Sequence, residues 1–402
     1  MRSLKRDTAA AAALVLLLCC TGCGADTESS IAEKTDDTPF AIYLSNTFIA
    51  TGNNTVAKPE GTVSYRAYLP VEQSGELEYC FYFSNTVDST WMQGEQSYVG
   101  MPGGAYTIES AEIGYAADPE SAVQGTAAVT FDGAASKPVA ASETFWSDPV
   151  TFDVPAGNYL VWTWTLTGDV IPAIAMSNLA PSYSSRDGGQ FGYCNEIPLP
   201  QLIGCKREAE MKIAMIGDSI TQGCGTTQND NAFWVANIAK AVGDRASVWN
   251  LGLGHARASD CVTNGDWLQR AAHADLVLVA FGTNDIQMGQ YGVGQPNAAS
   301  AIDNWLRKIT GILQEAGCEV ILLNAPPFDY DELHEGIRTE LNAMLPATAE
   351  ELGVSVFDWA SLLSDPDDPA KTLYGVSGGH PNDEGCKVIS DAFLEQFADR
   401  LP

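Results

Sequence analysis

From about residue 211 onward the chain alternates short apolar runs with amphipathic segments, and this rhythm restricts its fold more than any other feature. Runs at 212–216, 247–250, 276–281, 319–323 and 354–357 are short and mostly apolar, as expected of buried strands. Between them, residues 231–242, 259–273, 298–316 and 332–352 show the apolar spacing of helices, and a last helix is expected over 383–397. Such a series implies five parallel strands covered by helices on both faces. In sheets of this kind the site lies beyond the carboxyl ends of the strands.

The preceding stretch has a different texture. Segments such as 77–83, 127–131, 150–154 and 159–166 alternate apolar with polar or small residues and are separated by Gly, Pro, Asn and Asp turns. A β-sandwich is expected, with Tyr79, Phe81, Phe83, Trp162 and Trp164 on its inward faces. Flat aromatic rings also stack on sugars, so the same residues admit a carbohydrate-binding reading beside the structural one. A chain of 402 residues exceeds one ordinary core, and the change of rhythm suggests a β-sandwich domain over 38–207 and an α/β domain over 208–402.

The formal net charge of −30 is spread along the whole chain, which argues against nucleic acid or an anionic membrane as partner. Arg2, Lys5 and Arg6 precede an apolar stretch over 9–18, the layout of an export signal and too short to span a bilayer. The string Cys20-Thr21-Gly22-Cys23 resembles a lipobox, although Cys20 stands where Leu is usual. On that reading residues 1–22 are a lipoprotein-type signal, Cys23 carries the lipid anchor, and 23–37 form a flexible tether. The protein would then lie outside the cytoplasm at a bacterial cell surface, touching the membrane only through its anchor. A simple secretory signal is the alternative.

Seven cysteines lie beyond the export segment, an odd number, so complete pairing is impossible. Cys194 with Cys205 and Cys224 with Cys261 are candidate disulfides, and buried thiols are the competing expectation. No spacing suggests a zinc site, and neither metal nor organic cofactor is expected.

The chemistry gathers at the ends of the expected parallel strands. The first strand runs into Gly217-Asp218-Ser219-Ile220-Thr221, which is not the Gly-x-Ser-x-Gly elbow of α/β-hydrolases. Alone this turn is weak, because Asp and Ser commonly cap helices. After the second strand comes Asn250-Leu251-Gly252-Leu253-Gly254-His255, after the third Gly282-Thr283-Asn284-Asp285, and after the fifth His380-Pro381-Asn382.

These four blocks, over roughly 211–401, resemble the SGNH (GDSL) hydrolases, whose fold is a flavodoxin-like three-layer α/β/α sandwich and whose members cleave esters of acyl chains, acetylated sugars and related substrates. The β-rich half is more loosely similar to the N-terminal region of some secreted members, notably over 129–155. The resemblance implies Ser219 as nucleophile and His380 as general base. It also implies an oxyanion hole formed by the backbone N–H of Ser219, a backbone N–H of the Gly254 turn and the side-chain amide of Asn284. For Asn284-Asp285 the structural alternative is an Asx turn capping the next helix.

General chemistry agrees. A serine hydroxyl needs a base, and an imidazole, with an unperturbed pKa of about 6.5, suits the task at neutral pH. The chain has four histidines. His273 and His334 fall in expected helices away from strand ends, and His255 lies beside the oxyanion turn as a possible substrate contact, which leaves His380.

Two positions depart from the family pattern. The residue three before His380 is Ser377 rather than the usual Asp, which suggests a Ser-His dyad whose ring is oriented by a serine hydroxyl, a backbone carbonyl or, as a weaker substitute, Asp358. His255 stands where a second glycine is common, so whether Gly254 or His255 gives the N–H is open. The expected activity is ester hydrolysis through an acyl-enzyme, with small acyl groups such as acetyl on carbohydrate as substrate. A lysophospholipase or thioesterase of the same family, or an inactive glycan-binding protein, are the alternatives.

Overall fold

The computed structural model describes residues 38–89, 99–175, 179–263, 265–290, 294–376 and 378–402. The export segment, Cys23, the tether and Ser377 lie outside the described residues.

The β-rich region consists of antiparallel sheets. In the largest, the strand Tyr159–Gly168 lies between Thr62–Leu69 and Tyr106–Ala116. A second sheet is built around Gly75–Ser84, which pairs with Leu202–Lys206, Thr144–Trp146 and Val150–Val154. The central strands of these two sheets meet through aromatic rings, with centroids 4.8 Å apart for Phe81 and Trp162 and 5.6 Å for Phe83 and Trp164. Tyr79, Phe81, Phe83, Trp162 and Trp164 are all buried, so these rings are core and present no face to a sugar. A short third sheet joins Thr55–Ala57, Ile171–Ala175 and Glu196–Ile197.

The second region carries a five-stranded parallel sheet in the order Ala246–Gly252, Met211–Gly217, Leu276–Ala280, Glu319–Leu323, Ser355–Phe357. Chain order reverses direction across the sheet beside the first strand. Right-handed crossovers therefore place Trp234–Val242 on one face and Ala299–Glu315 and Glu332–Leu352 on the other. The helix contacts follow this division: Asp383–Gln396 packs on Trp234–Val242, and Ala299–Glu315 packs on Glu332–Leu352. Leu276–Ala280 is buried at every position, which is why it reads as an unbroken apolar run.

The two regions are joined along the sheet's outer strand, Ala246–Gly252. Ser247 Oγ donates to Ser45 O (3.1 Å), Asn250 Nδ2 to Phe48 O (3.1 Å) and Trp249 Nε1 to Gln201 O (3.3 Å). The Val248 N–H points at the buried carboxylate of Glu72, which also pairs with Arg207. A parallel strand left bare at an edge would expose its polar backbone; here the β-rich region covers it. Arg270 and Asp88, both buried, form a further ion pair across the junction.

Neither candidate disulfide forms. All seven cysteines of the described residues are thiols; Cys205, Cys224 and Cys261 are buried, Cys205 and Cys261 within the apolar core. Among the described residues no helix is long and apolar enough to cross a membrane.

Candidate active site

The first parallel strand ends at Gly217, where a side chain would lie 2.3 Å from Thr221 Oγ1 and 2.6 Å from Ala280 O. Asp218 then caps a single helical turn, Ser219–Gln222, its carboxylate accepting the Ile220 N–H at 2.9 Å. Burial pushes the Asp218 carboxyl up to about 7, against hydrogen bonds from Ile220 and Thr283 that favour its charged form. Asp218 is thus a buried brace, and Ser219, first residue of the turn, is 8% exposed.

His380 approaches from a hairpin in which His380–Pro381 pairs antiparallel with Gly375–Val376. Its Nε2 lies 2.8 Å from Ser219 Oγ although 161 positions separate them in sequence. The imidazole packs edge to face with Phe328, centroids 4.9 Å apart. Gly379, at φ +86°, passes so close beneath that a Cβ would lie 2.7 Å from Phe328 Cα. Asn382 caps the helix Asp383–Gln396 through the Gly385 N–H (2.9 Å). Asp383 accepts the Thr227 N–H (2.7 Å) and hydroxyl (2.5 Å), tying the loop after the serine turn to the helix after the histidine.

The glycine block closes the rim. The Gly254 N–H donates to Gln222 Oε1 at 2.6 Å, so this expected oxyanion donor is committed within the protein. The next residue, His255, has φ +62°, the left-handed conformation that suits the glycine usual at this position. Burial first, then the nearby His380 and Arg257, lower the His255 pKa to about 4, so its imidazole is neutral at physiological pH. Asn284 is buried and donates through Nδ2 to Ala256 O (3.0 Å). An amide nitrogen has two hydrogens, so one remains for a ligand. Asp285 accepts the Ala258 N–H at 2.9 Å and so holds the start of Ala258–Thr263 rather than its own helix. Burial raises its carboxyl to about 7.

Asp358 stands at the end of the fifth strand as expected, but its oxygens accept from Ser361 N–H (3.1 Å), Ser361 Oγ (2.6 Å) and Asn324 Nδ2 (2.7 Å). Those bonds outweigh burial and lower its pKa. It caps Trp359–Leu363 and is not the acid that orients His380. His273 stacks on Phe40 at 4.5 Å, and buried His334 contacts Asp331 Oδ1 (2.6 Å) and Met288 O (3.0 Å), so both are structural. Among the described residues no cluster of His, Cys, Asp and Glu is arranged to hold a metal ion.

Gln222, Asn54, Phe328 and Asp383 belong to the site's surroundings and were not found from sequence. Gln222 directly follows the serine motif, which is the one signal that could have drawn attention to it.

Residues 215–388 match the GDSL-like Lipase/Acylhydrolase family. An acetylxylan esterase of Xylanibacter ruminicola is 23% identical over 225 residues, which cover 50% of this chain and 44% of that protein. The chain thus spans less than half the length of this curated relative. Among solved structures, a G-D-S-L lipolytic protein from Veillonella parvula is 24% identical, with TM-score 0.39 over 46% of this chain and 98% of the other. An acetylxylan esterase from Geobacillus stearothermophilus is 19% identical, with TM-score 0.38 over 47% and 94%. Beyond its β-rich N-terminal region, the chain is thus similar to the GDSL-like Lipase/Acylhydrolase family over residues 215–388.

Proposed function

We propose that the protein is a serine ester hydrolase working through an acyl-enzyme, and that it removes small acyl groups, acetyl foremost, from carbohydrate. The observation that carries the reading is the 2.8 Å contact between Ser219 Oγ and His380 Nε2 at the rim of the parallel sheet. As Ser219 Oγ attacks the ester carbonyl carbon, His380 Nε2 takes its proton, and the carbonyl electrons move onto oxygen. The Ser219 N–H, the second hydrogen of Asn284 Nδ2 and the N–H of His255 stabilise that oxyanion. Collapse expels the alcohol, protonated by His380, and leaves acyl-Ser219. Water then repeats the sequence and releases the acid.

The carbohydrate ester is supported by the relative's acetylxylan esterase activity. The surface is compatible with it: among the described residues the exposed large apolar side chains are Ile42, Tyr193, Leu333, Leu373 and Val376. In this reading the protein is exported and tethered through Cys23, for which Arg2, Lys5, Arg6 and the lipobox-like string are the support.

The test is a panel of acyl esters, from acetylated xylooligosaccharides to long-chain lysophospholipids and thioesters, against wild type and Ser219→Ala. Acetate release that Ser219→Ala abolishes is expected. Turnover confined to long-chain lipid esters would reject the carbohydrate assignment, and glycan binding without hydrolysis would reject the enzyme.

A further inference from the structure

We infer that Asn54, from the β-rich region, is a positioning residue for the oxyanion turn and acts through a closed ring of hydrogen bonds with Ala175, Gln222 and Gly254. This inference rests on the esterase reading above. The Gly254 N–H donates to Gln222 Oε1 (2.6 Å), and Gln222 Nε2 donates to Ala175 O (2.9 Å). The Ala175 N–H donates to Asn54 Oδ1 (2.8 Å), and Asn54 Nδ2 returns to Gly254 O (3.3 Å). Each of the four residues gives one donor and one acceptor, and all are buried. Asn54 and Ala175 belong to the β-rich region, while Gln222 closes the serine's helical turn and Gly254 lies in the glycine block.

The ring fixes a direction as well as a place. A peptide group is planar and trans, so its C=O and N–H point to opposite sides. The carbonyl of Gly254 shares its peptide plane with the N–H of His255. Holding that carbonyl on Asn54 turns the His255 N–H to the side away from the β-rich region. His380 is close enough to His255 to help lower its pKa, so the turn borders the catalytic pair. The other half of the ring pins the preceding peptide plane to Gln222, three residues after Ser219. Nucleophile and oxyanion donor are thereby set against each other by the side chains of Asn54 and Gln222.

The side chain of Asn250 reinforces the arrangement, donating through Nδ2 to both Phe48 O and Thr221 O (each 3.1 Å) and accepting the Gly252 N–H at 2.9 Å. The backbone of residue 52 is also confined: a Cβ on Gly52 would lie 3.1 Å from Leu253 Cδ2.

The experiment compares full-length wild type, Asn54→Ala, Gln222→Ala and the double variant on 4-nitrophenyl acetate, with a boronic acid as transition-state mimic. A displaced oxyanion donor should lower kcat by roughly 10- to 100-fold. KM should stay within about twofold, since the ground-state carbonyl depends little on this donor. The boronate Ki should rise in parallel with the fall in kcat, and the pH profile should keep its midpoint. Because the bonds close on one another, the double variant should lose little more than the worse single variant.

A folded Asn54→Ala enzyme with wild-type kcat, or losses that multiply in the double variant, would overturn the inference. If no variant folds, amide hydrogen exchange on the wild type decides: a slowly exchanging Gly254 N–H supports the ring, and a freely exchanging one refutes it. Ser219→Ala separates the two readings. Activity that survives it refutes the serine mechanism, whereas abolished activity beside an unaffected Asn54→Ala refutes the ring alone.

Discussion

The β-rich and α/β regions handle polarity in opposite ways. In the first, Phe81, Phe83, Trp162 and Trp164 turn inward and touch one another, and the neighbouring region is reached by polar groups together with the rings of Phe40, which stacks on His273 and Trp249, and Phe48, which meets Phe233. In the second, the central strand Leu276–Ala280 is apolar throughout, and the residues of the candidate site lie in the segments that follow the strands, at Ser219, His255, Asn284 and His380. The inward rings are therefore a poor guide to what the β-rich region contributes at the candidate site. Its contribution enters through Asn54, Ala175, Ser45 and Phe48, mostly by backbone carbonyls and an amide side chain.

Four substitutions can break or sharpen that contrast. The largest effect belongs to Ser219→Ala, which should lower kcat on a simple acetyl ester by on the order of 10⁴- to 10⁶-fold and leave the melting temperature nearly unchanged. A residual rate close to wild type would remove the α/β rim as the seat of chemistry.

Arg270→Met comes next and acts on the junction. It leaves Asp88 buried without its ion-pair partner and should cost about 3–5 kcal/mol, read as a lower denaturant midpoint. A single transition would mean that the two regions unfold as one; a split transition would mean that they unfold separately.

Asp285→Asn probes a pH effect inside the α/β region. With a folded pKa of about 7, above the usual carboxyl value of 3.8, Asp285 keeps its proton in the folded state between those limits and loses it on unfolding. Its contribution is present in full below about pH 4 and is lost as pH rises to 7, at up to about 1.4 kcal/mol per pH unit. The Asn variant should show a flatter decline of stability over that window, and an unchanged slope would contradict the assignment.

His255→Gly is the mildest. It keeps the backbone N–H and relieves a left-handed φ, so stability should hold or rise by about 1 kcal/mol. The value of kcat should stay within a few-fold, and a selective rise in KM for sugar esters would identify the imidazole as a substrate contact.

The parallel sheet was legible because strands buried on both faces leave continuous apolar runs. All five of its strands lie within two residues of their expected ends, and the helix Glu332–Leu352 matches to the residue. The misses have local causes. The helix expected from 231 begins at Trp234, and Asn231 adopts φ +52°, which a helix does not accept. Of the segment expected as a helix over 259–273, Ala258–Thr263 and Gly265–Ala271 are helical, so its C-terminal end falls two residues early. The fifth strand starts at Ser355 because Gly353 (φ +67°) and the Val354 N–H complete the C-terminal cap of the preceding helix.

Of the site, the serine and histidine blocks were readable because each is a compact string at a strand end. The Asn54–Gly254 contact spans 200 positions and leaves no periodic trace. Asp358 misled because an acid at the end of a strand looks the same in sequence whether it faces an imidazole or caps the next helix.

The shielding of the strand Ala246–Gly252 also bears on how such proteins can be re-engineered. Its cover is made by Ser45, Phe48, Glu72 and Gln201, drawn from well-separated parts of the first half of the chain. A catalytic half cut out at residue 208 and fused to a foreign partner would bring its nucleophile and base along, but present a raw flank to every other copy in solution. Chimeras should remain monodisperse only when the graft includes those four positions, so the workable unit of exchange is larger than the segment that carries the catalytic blocks.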